Sequence, residues 1–599
     1  MVDISAAAPG HSPERGVSRR SNRFALLLKA LLLLVLLVDA AAPLVKQFSD
    51  PDFFWHLQTG AWIWEHRALP DKFLFAATPP SSPEVVQRFT MTSYWMMQVL
   101  LHLAYTAGGL GGIVALRFLL WALLLLTLFF GKGGDDFVFL GLLSFAVVIL
   151  GHFPADRPQF ISFVFFGFLL VLLGGIRSAG SRAALLTRAA AIPLLMVLWA
   201  NCHGGYVVGL GIMALWLLAE SLKRLHPALG PLPPERYRIL LAAGAAGVLA
   251  SFLNPNTYHV FEVALLPPWM TANVQEYRST IEIYRLYAEQ WVILYWALLG
   301  LTVAGLLLSW RRPDLTDIAL IAVTGYFSFT RLRHIPFFLV AAVLVSCRLY
   351  SAPRFVGKAR VAFATAALAV GILFLGDAAK MYRNISRCAE VNDYLFPVQA
   401  ADFIKNEDLR GNMFNLYAWG GYLLWRLAPT EVFIDGRNSD RNLSGAYQLI
   451  MEGGPFWKQH FLTRGIHYTV TPFFDGISGR FYGLIDALLA DPSWVPVSMS
   501  PTAIVFAENV PENREVIRRW ALPKEQFYRT LLKYSSNLIA SSPSSAVFPV
   551  AQGEILLRLG DGAHALQSFE NALRIAPQHP VARERVASLR QSLPAERQP

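Results

Sequence analysis

Eleven apolar stretches of about 17–22 residues recur between Phe24 and Asp377, and they constrain the fold more than any other property of the chain. Lipid offers no partner for exposed backbone amides, so a stretch of this length crosses the hydrocarbon core as a helix. The first runs from Phe24 to about Val45 and is apolar except for Lys29 and Asp39. It exceeds the core of a signal peptide, and no small-residue cleavage site stands out before Asp50, so it reads as an uncleaved first span. The others start near Leu110, Phe137, Gln159, Ala184, Gly205, Ile239, Trp291, Thr316, Ile335 and Val361. Only 16% of the 599 residues are charged, where a soluble chain carries about a quarter.

Orientation follows from the loops. Those on the N-terminal side hold about 18 Lys and Arg, including Arg15, Arg177, Lys223, Arg311 and Arg348, against about five in the short loops opposite. Only the Gly131–Asp136 loop runs against the trend, with two acids and one Lys. The asymmetry puts the basic side in the cytoplasm against anionic lipid, which accounts for the net charge of +11 without nucleic acid. An odd span count then puts everything after Asp377 outside, which in a bacterium is the periplasmic side of the inner membrane. Cys202, Cys347 and Cys388 are scattered; they form no metal spacing and no disulfide framework.

The expected domains are a disordered tail over 1–23, a transmembrane domain over 24–379, an α/β domain over 380–519 and a helical module over 520–599. Within the first external loop, 47–108, Phe53–Trp64 and Ser93–Tyr105 read as interfacial helices separated by a turn at Pro79–Pro83. Strands are expected at Gly411–Leu416, Glu431–Asp435, His467–Thr471, Trp494–Met499 and Ala503–Ala507. Helices are expected at 398–407, 440–451, 457–464 and 481–490. Near the C-terminus, Gly553, Ala565, Phe569, Ala572 and Pro577 fit one tetratricopeptide repeat, which flanking elements must cap and which offers a surface for a protein partner.

Asp50-Pro51-Asp52-Phe53-Phe54-Trp55-His56 follows the first span. Asp156-Arg157, Asn201-Cys202-His203, Asn254-Pro255-Asn256 and Arg331-Leu332-Arg333-His334 fall on the same side. Their one-sidedness predicts a single external cavity, lined by Trp55, Asn201, His203 and Asn254. Arg157, Arg331, Arg333 and His334 suit a phosphate, because guanidinium forks match its oxygens. Asp50 and Asp52 offer oxygen ligands for a divalent metal such as Mg or Mn, or a base for an acceptor hydroxyl. His56 lies one helical turn from Asp52 and would share its face. Asp435-Gly436-Arg437 ends an expected strand, where the two charges either bind substrate or pair with each other; Trp419 and Tyr422 suit sugar stacking or a core.

From these residues the chain resembles the GT-C superfamily of membrane glycosyltransferases, which use polyprenyl-linked sugars. Asp52-Phe53-Phe54-Trp55-His56 looks like the acidic-aromatic-His pattern in the first external loop of archaeal oligosaccharyltransferase catalytic subunits. Ala418-Trp419-Gly420-Gly421-Tyr422 stands where that family reads its acceptor with Trp-Trp-Asp-Tyr-Gly, but the central Asp is missing. Val432-Phe433-Ile434-Asp435-Gly436-Arg437, Asn201-Cys202-His203-Gly204-Gly205 and Arg333-His334 more closely resemble a group of bacterial multispan proteins, many ending in tetratricopeptide repeats. The resemblance implies Asp52 and His56 as catalytic residues. It makes Asp156 the second acid and a metal ligand with Asp50 and Asp52, and Trp419, Tyr422, Asp435 and Arg437 the acceptor contacts.

The expectation is a polytopic α-helical membrane protein of about eleven spans, GT-C-like, with an external α/β domain and a tetratricopeptide-like module. Its function would be transfer of a sugar from a polyprenyl-phosphate-type donor to a glycan, lipid or protein. A non-catalytic scaffold using the repeat module and a lipid-linked glycan transporter are the rivals. A transporter calls for ionisable groups in mid-span, and the spans hold few beyond Asp39.

Overall fold

The computed structural model describes residues 14–77, 84–153, 155–259, 275–309, 314–353, 355–437 and 440–592. The turn expected at Pro79–Pro83, Arg311, Arg312, Arg354 and the first 13 residues lie outside them. The chain folds into two compact units: 1–46, 104–258 and 267–389 form one, and 47–103, 259–266 and 390–599 the other.

All eleven apolar stretches are helical. Eight helices among the described residues are long and apolar enough to cross a membrane, so the chain is a multi-pass membrane protein. Asp136–Leu150 and Leu315–Thr330 are apolar but shorter. Pro234–Ser251, the remaining one, carries Glu235, Arg236 and Arg238 in its first turns. The first helix starts at Glu14, so residues 14–23 of the tail expected to be disordered are helical; elongating an existing helix costs far less than nucleating one. The helix expected at Ser93–Tyr105 and the second span are joined as Trp95–Gly131, kinked where Gly108 and Gly109 leave helical geometry. Asp136–Leu150 and Ile335–Tyr350 form the centre of the first unit, buried along nearly their whole lengths and apolar all round.

Several buried charges in this unit are paired. Lys223, 1% exposed, donates to Glu220 at 2.8 Å and Asp314 at 2.7 Å, and Arg177 bridges the same two acids. This network ties together the ends of Phe160–Arg177 and Tyr206–Lys223 and the start of Leu315–Thr330. Thus two of the residues counted as basic loop charge are locally neutralised. The three cysteines are unpaired.

The second unit is built on a four-stranded sheet of β1 (Asn412–Asn415), β2 (Ile466–Thr471), β3 (Trp494–Met499) and β4 (Ile504–Glu508), in the order β1-β2-β4-β3. β1 runs parallel to β2, and the other pairs are antiparallel. The strand expected at Glu431–Asp435 is reduced to a single bridge between Val432 and Ala76. Asn415 is the reason: its Oδ1 accepts the Phe433 amide at 2.9 Å and its Nδ2 donates to the Ile434 carbonyl at 2.8 Å, taking the place of a ladder. Phe48 pairs with Val391 in the same way, so both ends of the 47–77 segment are tied by backbone hydrogen bonds to later chain.

A helix at Gly420–Arg426 had no counterpart in the sequence expectation, because Gly-Gly reads as a turn. Further on, Val547–Arg558 packs on Gly562–Ile575. Gly553 is required there, since a Cβ would stand 2.6 Å from the Phe569 ring, and Ala565 and Ala572 are fully buried. Lys524–Ser541 and Pro580–Ser592 cover the two sides of this pair. Arg558 joins it to the sheet domain through Asp486 at 2.6 Å.

Candidate active site

Pro51–His66 begins with a proline at its first turn, and Asp50 is its cap: the Asp50 Oδ1 accepts the Asp52 amide at 2.9 Å. The two acids therefore divide. Asp50 is buried, 6% exposed, and holds the helix end, whereas Asp52 is half-buried. The Trp55 indole donates to Asp52 Oδ1 at 3.3 Å. Phe53 and Phe54 are fully buried, with Phe54 against Phe396, Tyr422 and Trp425. The aromatic run anchors the helix, and the carboxylate at its first turn is fixed by that anchor.

Gly436 explains the Asp435-Gly436-Arg437 motif. A Cβ there would lie 2.1 Å from Asp52 Oδ1, so glycine lets the chain close on the carboxylate in its observed position. Arg437 grips Asp435 through two bonds, Nε to Oδ1 at 2.8 Å and Nη2 to Oδ2 at 2.5 Å, and its backbone amide adds a third to Oδ1 at 2.9 Å. Both side chains are nearly inaccessible, and the guanidinium lies 5.9 Å from the Trp55 ring centre. The pair is consumed internally. It holds the turn that contacts Asp52, and the remaining guanidinium nitrogen, Nη1, lies 3.7 Å from the Met91 sulfur.

The Trp419-Gly420-Gly421-Tyr422 motif serves the same contact. A Cβ on Gly421 would meet the Pro51 carbonyl oxygen at 2.4 Å, and one on Gly420 the Ile434 oxygen at 2.1 Å. Trp419 is 4% exposed and donates to the Leu395 carbonyl at 2.8 Å; Tyr422 is 1% exposed and packs on Phe54 and Phe396. Sugar stacking needs a free ring face, and in this arrangement both rings are packed as core aromatics.

His56 is buried on the same helix. Gln98, fully buried, hydrogen-bonds its Nδ1 through the side-chain amide at 3.1 Å. Gly60 makes this contact reachable, since a Cβ would stand 2.0 Å from the Gln98 carbonyl oxygen. Sequence reasoning missed Gln98; its signal was a lone amide on an apolar helix.

In the other unit, Asp156 forms a buried ion pair with Arg117 at 2.7 Å, and Arg117 also donates to the Lys46 carbonyl at 2.9 Å. Arg117 was missed too, although an arginine in an apolar helix must find a partner. Among the described residues no three His, Cys, Asp or Glu side chains gather at one point. With Asp50 spent on a cap and Asp156 on Arg117, the Asp50, Asp52 and Asp156 set does not fit Mg or Mn, and no step is routed through a metal.

Arg157 pairs with Glu276 at 2.5 Å. Arg331 and Arg333 both lie against the Tyr277 ring, at 5.8 and 4.6 Å from its centre, and Arg333 donates to the Tyr277 hydroxyl. Neither has a carboxylate partner among the described residues. His334 lies 5.7 Å from the Phe327 ring centre. His203 is buried. Its Nδ1 accepts the Gly205 amide at 2.9 Å and lies 2.7 Å from the Ser162 hydroxyl, which receives the Trp199 indole proton. Burial, with Arg333 adding to it, pushes the His203 pKa down to about 3, so the ring is neutral. Asn201 donates to the Val197 and Leu253 carbonyls at 2.8 Å each. Asn254 caps its own turn through the Asn256 amide. Both asparagines are thus engaged with backbone.

The fold, a multi-pass helical bundle with an aromatic, acid-bearing helix after the first span and a following α/β domain, is similar to that of solved proteins of the GT-C class. ArnT from Cupriavidus metallidurans in the apo state matches with a TM-score of 0.50 and 15% identity, over 84% of this chain and 100% of that one. The same protein bound to undecaprenyl phosphate gives 0.47 and 16%, over 84% and 99%. The archaeal oligosaccharyltransferase AglB from Archaeoglobus fulgidus, in complex with an inhibitory peptide and a dolichol-phosphate, gives 0.49 and 11%, over 92% and 86%. No protein-family model matches the sequence, and no curated protein matches it. At these identities the likeness is one of fold.

Proposed function

We propose that the chain is a glycosyltransferase of the bacterial inner membrane that moves a sugar from a polyprenyl-phosphate-type carrier to an acceptor on the external face. The observation that carries this reading is the seating of Asp52. Within a GT-C-like fold, the Gly436 turn closes on one half-buried carboxylate, Gly421 closes on the Pro51 carbonyl beside it, and the Trp55 indole donates to it. Asp52 acts as the base. It takes the proton of an acceptor hydroxyl as that oxygen bonds to the anomeric carbon, and the carbon–oxygen bond to the carrier phosphate breaks with its electron pair on the phosphate. In the other unit, Arg331 and Arg333 carry guanidinium forks of the kind that bind a phosphate, and neither has a carboxylate partner among the described residues. Trp55 and His56 position the base through its helix. The module over 520–599, read as tetratricopeptide-like, presents or recruits a partner. Asp52→Asn keeps the shape and removes the base: loss of transfer with unchanged membrane abundance supports the reading. Unchanged glycan profiles would favour the scaffold instead.

A further inference from the structure

A cleft of about 190 Å³ opens within the first unit where Glu14–Ala41, Asp136–Leu150 and Val356–Arg383 end. It belongs to none of the residues given a role above. Asp39, Lys46, His152, Asp377, Lys380 and Phe374 line it, with aliphatic side chains between them. Asp39 is 8% exposed, and its Oδ1 has no hydrogen-bond partner among the described residues. A buried carboxylate oxygen left unsatisfied costs free energy unless something else meets it. His152 Nδ1 donates to the Val148 carbonyl at 3.1 Å, so Nε2 of the neutral ring is a second acceptor.

The charge balance narrows the ligand. Two ammonium groups, Lys46 and Lys380, face two carboxylates, Asp39 and Asp377, and Asp377 with Lys380 already forms a pair at 2.8 Å. Asp377 also attracts the Lys46 ammonium, so the two lysines share one acid, and Asp39 is the acid with an unsatisfied oxygen. The cleft is smaller than the roughly 300 Å³ of a drug-sized site, so it holds a headgroup and leaves chains outside. Beside Phe374 on the same helix, Ile372, Leu373 and Leu375 are 64%, 61% and 53% exposed, an apolar strip of the kind acyl chains cover. We propose that this cleft binds a zwitterionic aminophospholipid, phosphatidylethanolamine, with its phosphate on Lys46 and its ammonium on Asp39 and His152. Lys46 would supply the charge-assisted bond to the phosphate, and the ammonium would satisfy the orphaned Asp39 oxygen. This assignment stands apart from the transfer reaction and does not rest on it.

Native mass spectrometry of the full chain, released from detergent with dioleoyl-phosphatidylethanolamine or dioleoyl-phosphatidylglycerol, tests it. The expected result is retention of one phosphatidylethanolamine at least tenfold more tightly than phosphatidylglycerol. Asp39→Asn should abolish that preference while Arg480→Ala, in the other unit, leaves it intact. The comparison of the two lipids on the unaltered chain needs no variant to fold. Equal retention of both lipids, an unchanged preference in Asp39→Asn, or displacement of the bound lipid by polyprenyl phosphate would each overturn the proposal.

Discussion

Gly436→Ala isolates the contact on which the proposed chemistry depends. The added Cβ would stand 2.1 Å from Asp52 Oδ1, and an ordinary contact starts at about 3.4 Å, so roughly 1.3 Å of movement is forced. The clashing atom is the tip of a side chain that can rotate, so the move is made by the carboxylate and not by the backbone. Gly436 does not occupy a left-handed conformation, so alanine adds no backbone strain. The expected cost in stability is under about 1 kcal/mol. A reacting group displaced by about 1 Å, however, loses on the order of 10²-fold in rate, or about 2.7 kcal/mol of barrier. The assay is initial transfer of labelled sugar from a polyprenyl-phosphate donor in membranes matched for protein content, alongside melting of the purified chain. Gly421→Ala is the contrast: its Cβ meets the Pro51 backbone oxygen at 2.4 Å, so it should lower the melting temperature as well as the rate. Near-normal transfer by Gly436→Ala in a folded chain would refute the idea that the position of Asp52 matters.

Other outcomes follow from the buried charges. Asp435→Ala strands the Arg437 guanidinium, 2% exposed, and should destabilise by about 3–5 kcal/mol, visible as loss of folded protein in a detergent melt. Asp156→Asn should act in the same way by leaving Arg117 without its counter-charge, so its defect should be one of stability; a folded, stable Asp156→Asn chain that fails only in turnover would restore Asp156 as a second acid. His203 is held neutral down to about pH 3, against about 6.5 in the unfolded chain. Protonation therefore favours unfolding: the stability is intact above about pH 6.5 and falls by about 1.4 kcal/mol per unit as pH drops from there toward 3. Melting curves at pH 7 and pH 5 should show a steeper loss for the natural chain than for His203→Gln, and equal slopes would contradict the burial argument.

The membrane bundle and the acid-bearing helix were legible because each is a local pattern. Apolar runs of spanning length carry their own instruction, and Asp52 stood out as a charge among aromatics. The partners of that acid were not legible, since they arrive from hundreds of residues away. Gly436 stood in a motif at the end of an expected strand and Gly421 in an expected acceptor motif, yet both are empty spaces for the start of Pro51–His66. Trp419 and Tyr422 read as binding aromatics because composition does not tell which face of a ring is covered. The expected strand at Glu431–Asp435 failed for a related reason: one side chain, Asn415, replaced a ladder that the β-prone sequence suggested. Asp50 and Asp156 looked like ligands, but a carboxylate serves equally as a helix cap or as a counter-ion.

Transfer by Asp52→Asn decides the central claim most directly. Membranes carrying equal amounts of the natural and Asp52→Asn chains, with a labelled polyprenyl-phosphate sugar, should differ by about 10²–10⁴-fold in initial rate, the usual contribution of a positioned base. Both chains should melt at similar temperatures, since the Asp52 carboxylate is half-buried and asparagine retains an oxygen to accept the Trp55 indole proton. Equal rates from the two chains would contradict the account.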